Sequence, residues 1–312
     1  MKLDRPTLIT VTILLFSVSF SLSACSVAFN GDNGSKKLSV IDEKTFQISS
    51  GKTLRVDTRP GDVMITPWEK DEVYIKVYGN DKAREKMKFD FNGNSNEVAV
   101  TGKYERSFFN WGNSGIKVRY EIKTPSNFNV TVSTAGGDVR VGGIKGSVTI
   151  KTSGGDVDIK ETRGNLLVAT SGGDITLENP EGNTKASTSG GDINGVNYKG
   201  NLKVTTSGGD IKLSGGNGSI EAKSSGGDIK LEYNGINEGI ALATSGGDID
   251  IYVPADFKAS LMLSSSGGGV DSDFKTENQT NRSKRKLEGD INGGGPKLVA
   301  KTSGGEINLR KR

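Results

Sequence analysis

The chain has 312 residues with 44 glycines, one cysteine and no histidine, and its formal net charge is +4. The missing histidine excludes a Ser-His-Asp triad and an imidazole zinc site, and one cysteine excludes an intrachain disulfide and a cysteine cluster for zinc or iron–sulfur. The charge is too small to indicate nucleic acid by itself, whereas glycine at about twice ordinary usage favours an internal repeat.

The N-terminal segment has the features of an export signal. Lys2 and Arg5 precede an apolar stretch, residues 8–20, that is too short for a permanent membrane span. It ends in Leu22-Ser23-Ala24-Cys25, which resembles the lipobox of bacterial lipoproteins. The resemblance implies removal of residues 1–24 as a signal peptide and lipid on Cys25, where several acyl chains would anchor the protein stably. The alternative is an ordinary secretory signal with an incidental cysteine.

The residues that follow Cys25 predict a link between lipid and domain. Residues 25–44 are rich in polar residues and glycine, a composition typical of a flexible tether. We therefore expect a lipid-anchored, exported domain in a bacterial cell envelope, at the outer membrane where the envelope is Gram-negative. Export leaves no role for nucleic acid as a partner.

The tetrapeptide Ser-Gly-Gly-Asp recurs with a fixed period of 18 residues. Its aspartates, with the related copies at either end, are Asp138, Asp156, Asp174, Asp192, Asp210, Asp228 and Asp248, the last coming after 20 residues. Degenerate copies lie at residues 59–62, 266–269 and 303–306. A fixed period of this length indicates stacked structural repeats.

Apolar residues alternate within each period, as in Val157 and Ile159 and again in Leu166 and Val168. Alternation at period two predicts two short strands per unit, each with one buried face. A unit this short cannot bury that face alone, but stacked units can. The sequence therefore predicts an all-β fold, a parallel β-helix or solenoid of 18-residue coils, over residues 45–312 with regular repeats in 133–252.

The repeat also assigns roles to its polar residues and glycines. Inward threonines such as Thr152 and Thr170 are expected to hydrogen-bond along the stack. The glycine pair is expected to allow positive φ and close backbone approach at each corner. The aspartate that follows is expected to accept N–H groups of its own turn.

The flanks differ from the repeat. Residues 73–77 and 118–122 are strand-like, and residues 81–88 favour a short helix. Residues 271–290 form an insertion with a basic stretch at 282–286, which is either a solvated loop or a contact for anionic lipid or phosphate.

These motifs resemble a bacterial adhesin-like domain family, a domain of unknown function related to autotransporter adhesin head domains. The resemblance covers about residues 45–312 and rests on the Thr-Ser-Gly-Gly-Asp-Ile copies, on Val253-Pro254-Ala255-Asp256 and on the late Gly289-Asp290-Ile291-Asn292 segment. It implies a β-solenoid at the cell surface or in the envelope and carries over no catalytic residue. Glu306 stands where the last copy usually has aspartate.

Three functional hypotheses remain open for particular residues. Carboxylates stacked along the seven-aspartate column could bind Ca²⁺, although each could equally serve its own corner. Glycan-processing enzymes on solenoids use clustered carboxylates, and no singular cluster stands out here. Phe108, Phe109 and Trp111 could form an exposed ligand tip or plug one end of the solenoid.

We expect a non-enzymatic envelope lipoprotein without a cofactor, which presents a surface for adhesion, envelope integrity or a stress response. Its expected partners are the membrane, through lipid on Cys25, and an envelope protein or glycan. A calcium-dependent binding module and a glycan-active enzyme are the alternatives.

Overall fold

The computed structural model describes residues 38–104 and 115–312 and is almost entirely β-structure. The N-terminal part contains one short helix, α1 (Asp81–Lys86), among the described residues. Its strands are β1 (Ser39–Gln47), β2 (Thr53–Thr58), β3 (Asp62–Trp68), β4 (Glu72–Gly79), β5 (Met87–Gly93), β6 (Glu97–Tyr104) and β7 (Val118–Pro125). The strand-like and helical segments expected in this region are confirmed.

The regular coils follow, each with two short strands. These strands are β8 (Asn129–Thr134), β9 (Val139–Gly142), β10 (Val148–Lys151), β11 (Val157–Lys160), β12 (Leu166–Ala169), β13 (Ile175–Glu178), β14 (Thr184–Ser187), β15 (Ile193–Val196), β16 (Leu202–Thr205), β17 (Ile211–Ser214), β18 (Gly218–Lys223), β19 (Ile229–Glu232), β20 (Asn237–Thr244) and β21 (Ile249–Val253).

The C-terminal part completes the stack. Its strands are β22 (Ala259–Ser265), β23 (Val270–Ser272), β24 (Glu277–Ser283), β25 (Lys286–Ile291), β26 (Lys297–Thr302) and β27 (Ile307–Lys311). Over the described residues the strands form two sheets, sheet A with 13 strands and sheet B with 14. The prediction of a parallel β-solenoid with two short strands per coil is confirmed.

The register of the regular coils follows the sequence period. Val157 pairs with Ile175 and Ile175 with Ile193 in sheet A, and Val148 pairs with Leu166 in sheet B. Each aliphatic residue therefore stacks on its counterpart 18 residues later, inside a core between the two sheets where Ile175 and Ile193 have no exposed surface. Burial of these columns supplies the main stabilisation, since no single coil encloses a core.

A second glycine column turns the chain at the corner before the sheet B strands β12, β14 and β16. Gly164, Gly182 and Gly200 have φ values of +129°, +119° and +101°. A Cβ on Gly182 would lie 2.3 Å from the carbonyl oxygen of Gly164 in the preceding coil. Positive φ and close stacking thus both require glycine at this corner. By contrast, the Gly-Gly pairs of the tetrapeptide are absent from the positive-φ positions, so that part of the prediction is wrong.

The coils at both ends are stacked out of chain order. The β2–β3 coil lies between β6–β7 and β8–β9, and the last coil, β26–β27, lies between β20–β21 and β22–β23. Antiparallel strands close each end: β1 and β4 in sheet A and β5 in sheet B at one end, and β25 and β24 in sheet B at the other. The degenerate tetrapeptides therefore do form coils, but the chain returns to insert its C-terminal coil inside the stack.

The domain begins earlier than the expected end of the tether. Strand β1 starts at Ser39 and pairs with β4 from Ser39 opposite Gly79 to Gln47 opposite Glu72. Phe46 packs against the hydrophobic core, where its ring would collide with any side chain at Gly93. Pairing with β4 orders these residues despite their polar composition.

Candidate functional site

The aspartate column lies along one corner of the solenoid, between the end of each sheet B strand and the start of the next sheet A strand. The Oδ1 of Asp156 accepts a hydrogen bond from the backbone N–H of Asp174 (2.9 Å), and Asp174 does the same for Asp192 (2.8 Å). The ladder continues to Asp248, which accepts from Glu306 N (2.7 Å). Each carboxylate therefore binds the next coil, and not its own turn as the sequence suggested.

Two further groups fix the same corner. Thr170 Oγ1 donates to the carbonyl oxygen of Gly155 in the preceding coil (3.1 Å) and accepts from Gly173 N of its own turn (3.3 Å). The expected hydrogen bonding of inward threonines along the stack is thus confirmed. A Cβ on Gly173 would lie 2.1 Å from Gly155 O, so the second glycine is required for close approach.

Asp62, from the degenerate copy at residues 59–62, extends the column at its N-terminal end, because its Oδ1 accepts a hydrogen bond from Asp138 N (3.1 Å). Desolvation by burial raises the pKa of Asp62, against the lowering effect of the hydrogen bond from Asp138 N. Within the described ranges, no group of three or more His, Cys, Asp or Glu side chains is placed to hold a metal ion. Calcium binding by Asp138, Asp156, Asp174, Asp192, Asp210, Asp228 and Asp248 stays a hypothesis, to be tested by melting experiments.

Other predicted site residues lie elsewhere or outside the described residues. Cys25, Phe108, Phe109 and Trp111 fall outside residues 38–104 and 115–312. The basic stretch forms the turn between β24 and β25, where the carbonyl oxygens of Lys284 and Arg285 accept from Val270 N and Ser265 N (both 2.9 Å). This turn is therefore docked on the outermost coil.

The outer face of sheet B carries a charged pattern that the sequence analysis missed. The outward charged residues are Lys151 on β10, Lys185 on β14, Lys203 on β16, and Glu221 and Lys223 on β18, whereas β12 has none. Glu221 accepts from both Lys203 (2.8 Å) and Lys223 (2.6 Å), and these hydrogen bonds, with that of Lys203 the larger effect, hold the pKa of its carboxyl below the ordinary value. The face is cationic after this pairing.

A ladder of amides runs beside the lysines. Asn183 Nδ2 donates to Asn165 Oδ1 (3.3 Å), Asn201 Nδ2 donates to Asn183 Oδ1 (2.9 Å), and Ser219 Oγ donates to Asn201 Oδ1 (2.7 Å). A shallow groove of about 380 Å³ lies between this ladder and the lysines of β14 and β16. The signal was present in the sequence as asparagine and lysine at the 18-residue period.

A second cleft, of about 700 Å³, opens where the 20-residue coil departs from the period. Ile236, which is 72% exposed, lines it together with Pro254 and Pro296. Tyr233 fills the core beneath, and its hydroxyl contacts the backbone of Gly218 and Ile236. In the part of the chain that is described, no helix has the length and apolar character to cross a membrane.

Fold and surface together define an adhesin-like β-solenoid domain. Over residues 51–310 the chain matches the family described as Toastrack DUF4097, and it belongs to that family. The expected relationship to an adhesin-like domain of unknown function is confirmed.

Several solved structures are similar over most of their length. A proposed adhesin from Bacteroides fragilis is 15% identical, with 88% of this chain and 98% of that chain covered and a TM-score of 0.44. A proposed lipid-binding protein from Parabacteroides distasonis is 12% identical, with 86% and 96% covered and a TM-score of 0.36. A proposed adhesin from Parabacteroides merdae is 11% identical, with 89% and 98% covered and a TM-score of 0.30. No curated protein matches the chain.

Proposed function

We propose that the protein is a lipid-anchored, non-enzymatic component of the bacterial cell envelope. Its solenoid presents a lateral face to an envelope partner and thereby serves adhesion, envelope integrity or a stress response. The lipid on Cys25 holds it at the membrane, in the outer membrane where the envelope is Gram-negative, and residues 26–37 connect the anchor to the solenoid.

The observation that carries this proposal is the use of the repeated polar groups within the stack. The aspartate Oδ1 atoms and the threonine hydroxyls hydrogen-bond to the backbone of neighbouring coils, as Asp174 does to Asp192 and Thr188 to Gly173. Side chains that are engaged in these hydrogen bonds hold the coils of a scaffold in register. What varies from coil to coil is the outward surface, which favours recognition over catalysis.

Metabolic labelling with an alkyne fatty acid tests the anchor. The full-length protein should acquire label and fractionate with membranes, whereas Cys25→Ser should lose both. A matched Ser26→Ala variant keeps the thiol and should behave as the parent. Label retained by Cys25→Ser, or a parent protein that never labels, would contradict the proposal.

Protease treatment of cells tests export. The solenoid should be cleaved in intact cells, or after permeabilisation of an outer membrane alone, while a cytoplasmic marker stays intact. Protection until the cytoplasmic membrane is lysed would show that the domain is not exported. Release of new reducing ends from a panel of envelope glycans would overturn the non-enzymatic part of the proposal.

A further inference from the structure

Two lysines face each other on the outer surface of sheet B without full neutralisation. Lys185 of β14 is the direct cross-strand partner of Lys203 of β16. Parallel strands lie about 4.8 Å apart, and like charges directly opposite each other on neighbouring strands are destabilising. Lys203 shares Glu221 with Lys223, whereas among the described residues Lys185 has no carboxylate partner.

Sheet A contains a comparable pair of facing lysines, but there both lysines have a carboxylate partner. Lys212 of β17 faces Lys230 of β19 in the same register. Both have a carboxylate partner, because Lys212 Nζ lies 3.9 Å from Asp210 Oδ2 and Lys230 Nζ lies 2.9 Å from Glu232 Oε1, a carboxylate that Arg312 also contacts. In the sheet B pair only Lys203 has such a partner, so the unneutralised lysine among these four is Lys185, and its lack of a carboxylate does not follow from the repeat itself.

The groove beside Lys185 and Lys203 adds hydrogen-bonding groups to this charge. Asn183, Asn201 and Ser219 form its other side, one group per coil. In the third coil Glu221 lines the groove opposite Lys203, and its charge is balanced by Lys203 and Lys223. Amide and hydroxyl groups both donate and accept, which suits sugar hydroxyls, whereas ammonium groups suit carboxylates. The groove is open and spans three coils, so that it admits an extended chain running along the solenoid axis.

We propose that this groove binds an anionic polysaccharide. Its acidic groups lie on Lys185 and Lys203, and its hydroxyl groups lie on the amide ladder. At about 4.8 Å per coil, the coils of β14 and β16 offer the same lysine and asparagine contacts to a linear polymer, and the coil of β18 adds Ser219, so that weak single contacts act together. The inference rests on the proposed function and names the chemical class of its envelope partner.

Calorimetric titration of the full-length protein in detergent tests the inference, with an alginate oligosaccharide of about ten residues as probe. Alginate should bind, and an uncharged dextran oligosaccharide of equal length should not. The double variant Lys185→Gln/Lys203→Gln should weaken binding at least tenfold, because it removes two charge-assisted contacts. Its melting temperature should stay close to the parent value, because the relief of repulsion between the lysines offsets the loss of the exposed ion pair between Lys203 and Glu221.

Two controls separate this site from general charge. The variant Lys212→Gln/Lys230→Gln removes the same charge from sheet A and should leave alginate affinity within about twofold. Asn201→Ala should weaken alginate binding about threefold to tenfold, the loss expected for one or two hydrogen bonds. Inorganic polyphosphate, tested as a charge-only probe, should bind more weakly than alginate and should not respond to Asn201→Ala.

Four outcomes would overturn the inference: no alginate binding, equal binding of dextran, equal losses from the sheet A and sheet B lysine variants, or polyphosphate binding as tight as alginate with no effect of Asn201→Ala on either probe. The anchor and export experiments do not depend on this result. A protein that is labelled and exported but ignores alginate would leave the proposed function standing and remove only this ligand class.

Discussion

At the scale of single residues, the two glycines of each Ser-Gly-Gly-Asp copy have different roles. The first, such as Gly172, is exposed, and a Cβ there would find its nearest neighbour at 3.8 Å. The second, such as Gly173, is buried against Gly155, where a Cβ would lie 2.1 Å from the carbonyl oxygen. Close stacking of backbones, and not backbone conformation, is therefore what the tetrapeptide conserves from coil to coil.

Gly173→Ala should lower the free energy of unfolding by about 3 kcal/mol, because the added methyl group forces two coils apart. Gly172→Ala should change it by less than about 0.5 kcal/mol, since an exposed site has room and alanine restricts the unfolded chain. Urea denaturation of both variants measures the difference. Equal effects at the two positions would show that stacking does not depend on the second glycine.

A buried hydroxyl at the same corner satisfies two backbone groups. Thr188 Oγ1 donates to Gly173 O (2.9 Å) and accepts from Gly191 N (3.2 Å). Thr188→Val keeps the shape but leaves both groups without this partner, so we expect a loss of about 2 kcal/mol. Thr188→Ser should cost less than about 1 kcal/mol, because Ser224 makes the equivalent contacts. Unfolding by urea distinguishes the variants, and a neutral Thr188→Val would contradict this role.

Tyr120 makes the free energy of unfolding depend on pH in the alkaline range. Burial raises its pKa to about 12, although its contact with Thr58 lowers it. The unfolded pKa is about 10, so the neutral phenol is favoured in the folded state. Its contribution is fully present below about pH 10 and is lost as the pH rises through about 12, with a limit of about 3 kcal/mol. Tyr120→Phe should therefore lose less stability than the parent between about pH 10 and pH 12; equal losses would exclude this cause.

At the scale of elements, the carboxylate column joins neighbouring coils by hydrogen bonds along one corner. Each carboxylate from Asp62 to Asp248 accepts the backbone N–H of the next coil, through Oδ1. At this corner the stacked strands leave a backbone N–H without a backbone acceptor, and the aspartate Oδ1 satisfies it. The column thus has a structural task in each coil.

Calcium should consequently leave the melting temperature unchanged. We expect the same midpoint, within about 1 °C, in excess Ca²⁺ and in excess EDTA, because Oδ1 is engaged and ligand binding to the folded state alone would raise the midpoint. Asp174→Asn retains an acceptor and should melt near the parent, whereas Asp174→Ala should lose about 1 kcal/mol. A calcium-dependent rise that Asp174→Asn abolishes would instead support the calcium hypothesis.

The sequence predicted the strands and buried columns of each coil, but it did not predict how the charged side chains on the surface pair with one another. Period-two alternation and the 18-residue spacing are enough to place Val157 and Ile175 in one buried column, since burial acts on every coil alike. The pairing of Lys185 with Lys203 has the same period, but whether a partner neutralises each lysine depends on side-chain positions across strands. Glu221 lies on the same side as Lys203 and Lys223 only because all three point outward from sheet B.

At the scale of the whole molecule, the order of the coils is the feature that periodicity leaves open. The copies at residues 266–269 and 303–306 each satisfy the pattern of a coil, and either could stack on β20–β21. The structure places the later copy there, with β27 between β21 and β23. Arg310 fixes this strand, since its Nη1 lies 2.7 Å from Asp271 Oδ2 and 3.3 Å from Asp273 Oδ1. The C-terminus is thus a layer within the stack and not its end.

This topology predicts an unusual response to truncation. Removal of residues 295–312 deletes β26 and β27, through which β22 and β23 contact the rest of the solenoid. Residues 259–291 remain in the chain but lose their attachment, so their amide hydrogens should exchange rapidly while those of β8 to β19 stay protected.

Deletion of residues 277–283 is the matched control, because it removes only the outermost strand, β24, and should affect little beyond β25. Hydrogen exchange read by mass spectrometry resolves these segments. Protection of β22 in the truncated chain would mean that its coil can stack directly on β20–β21. Insertion of the C-terminal coil would then be one of two accessible orders, and the clamp between Arg310 and the two aspartates would be what selects it.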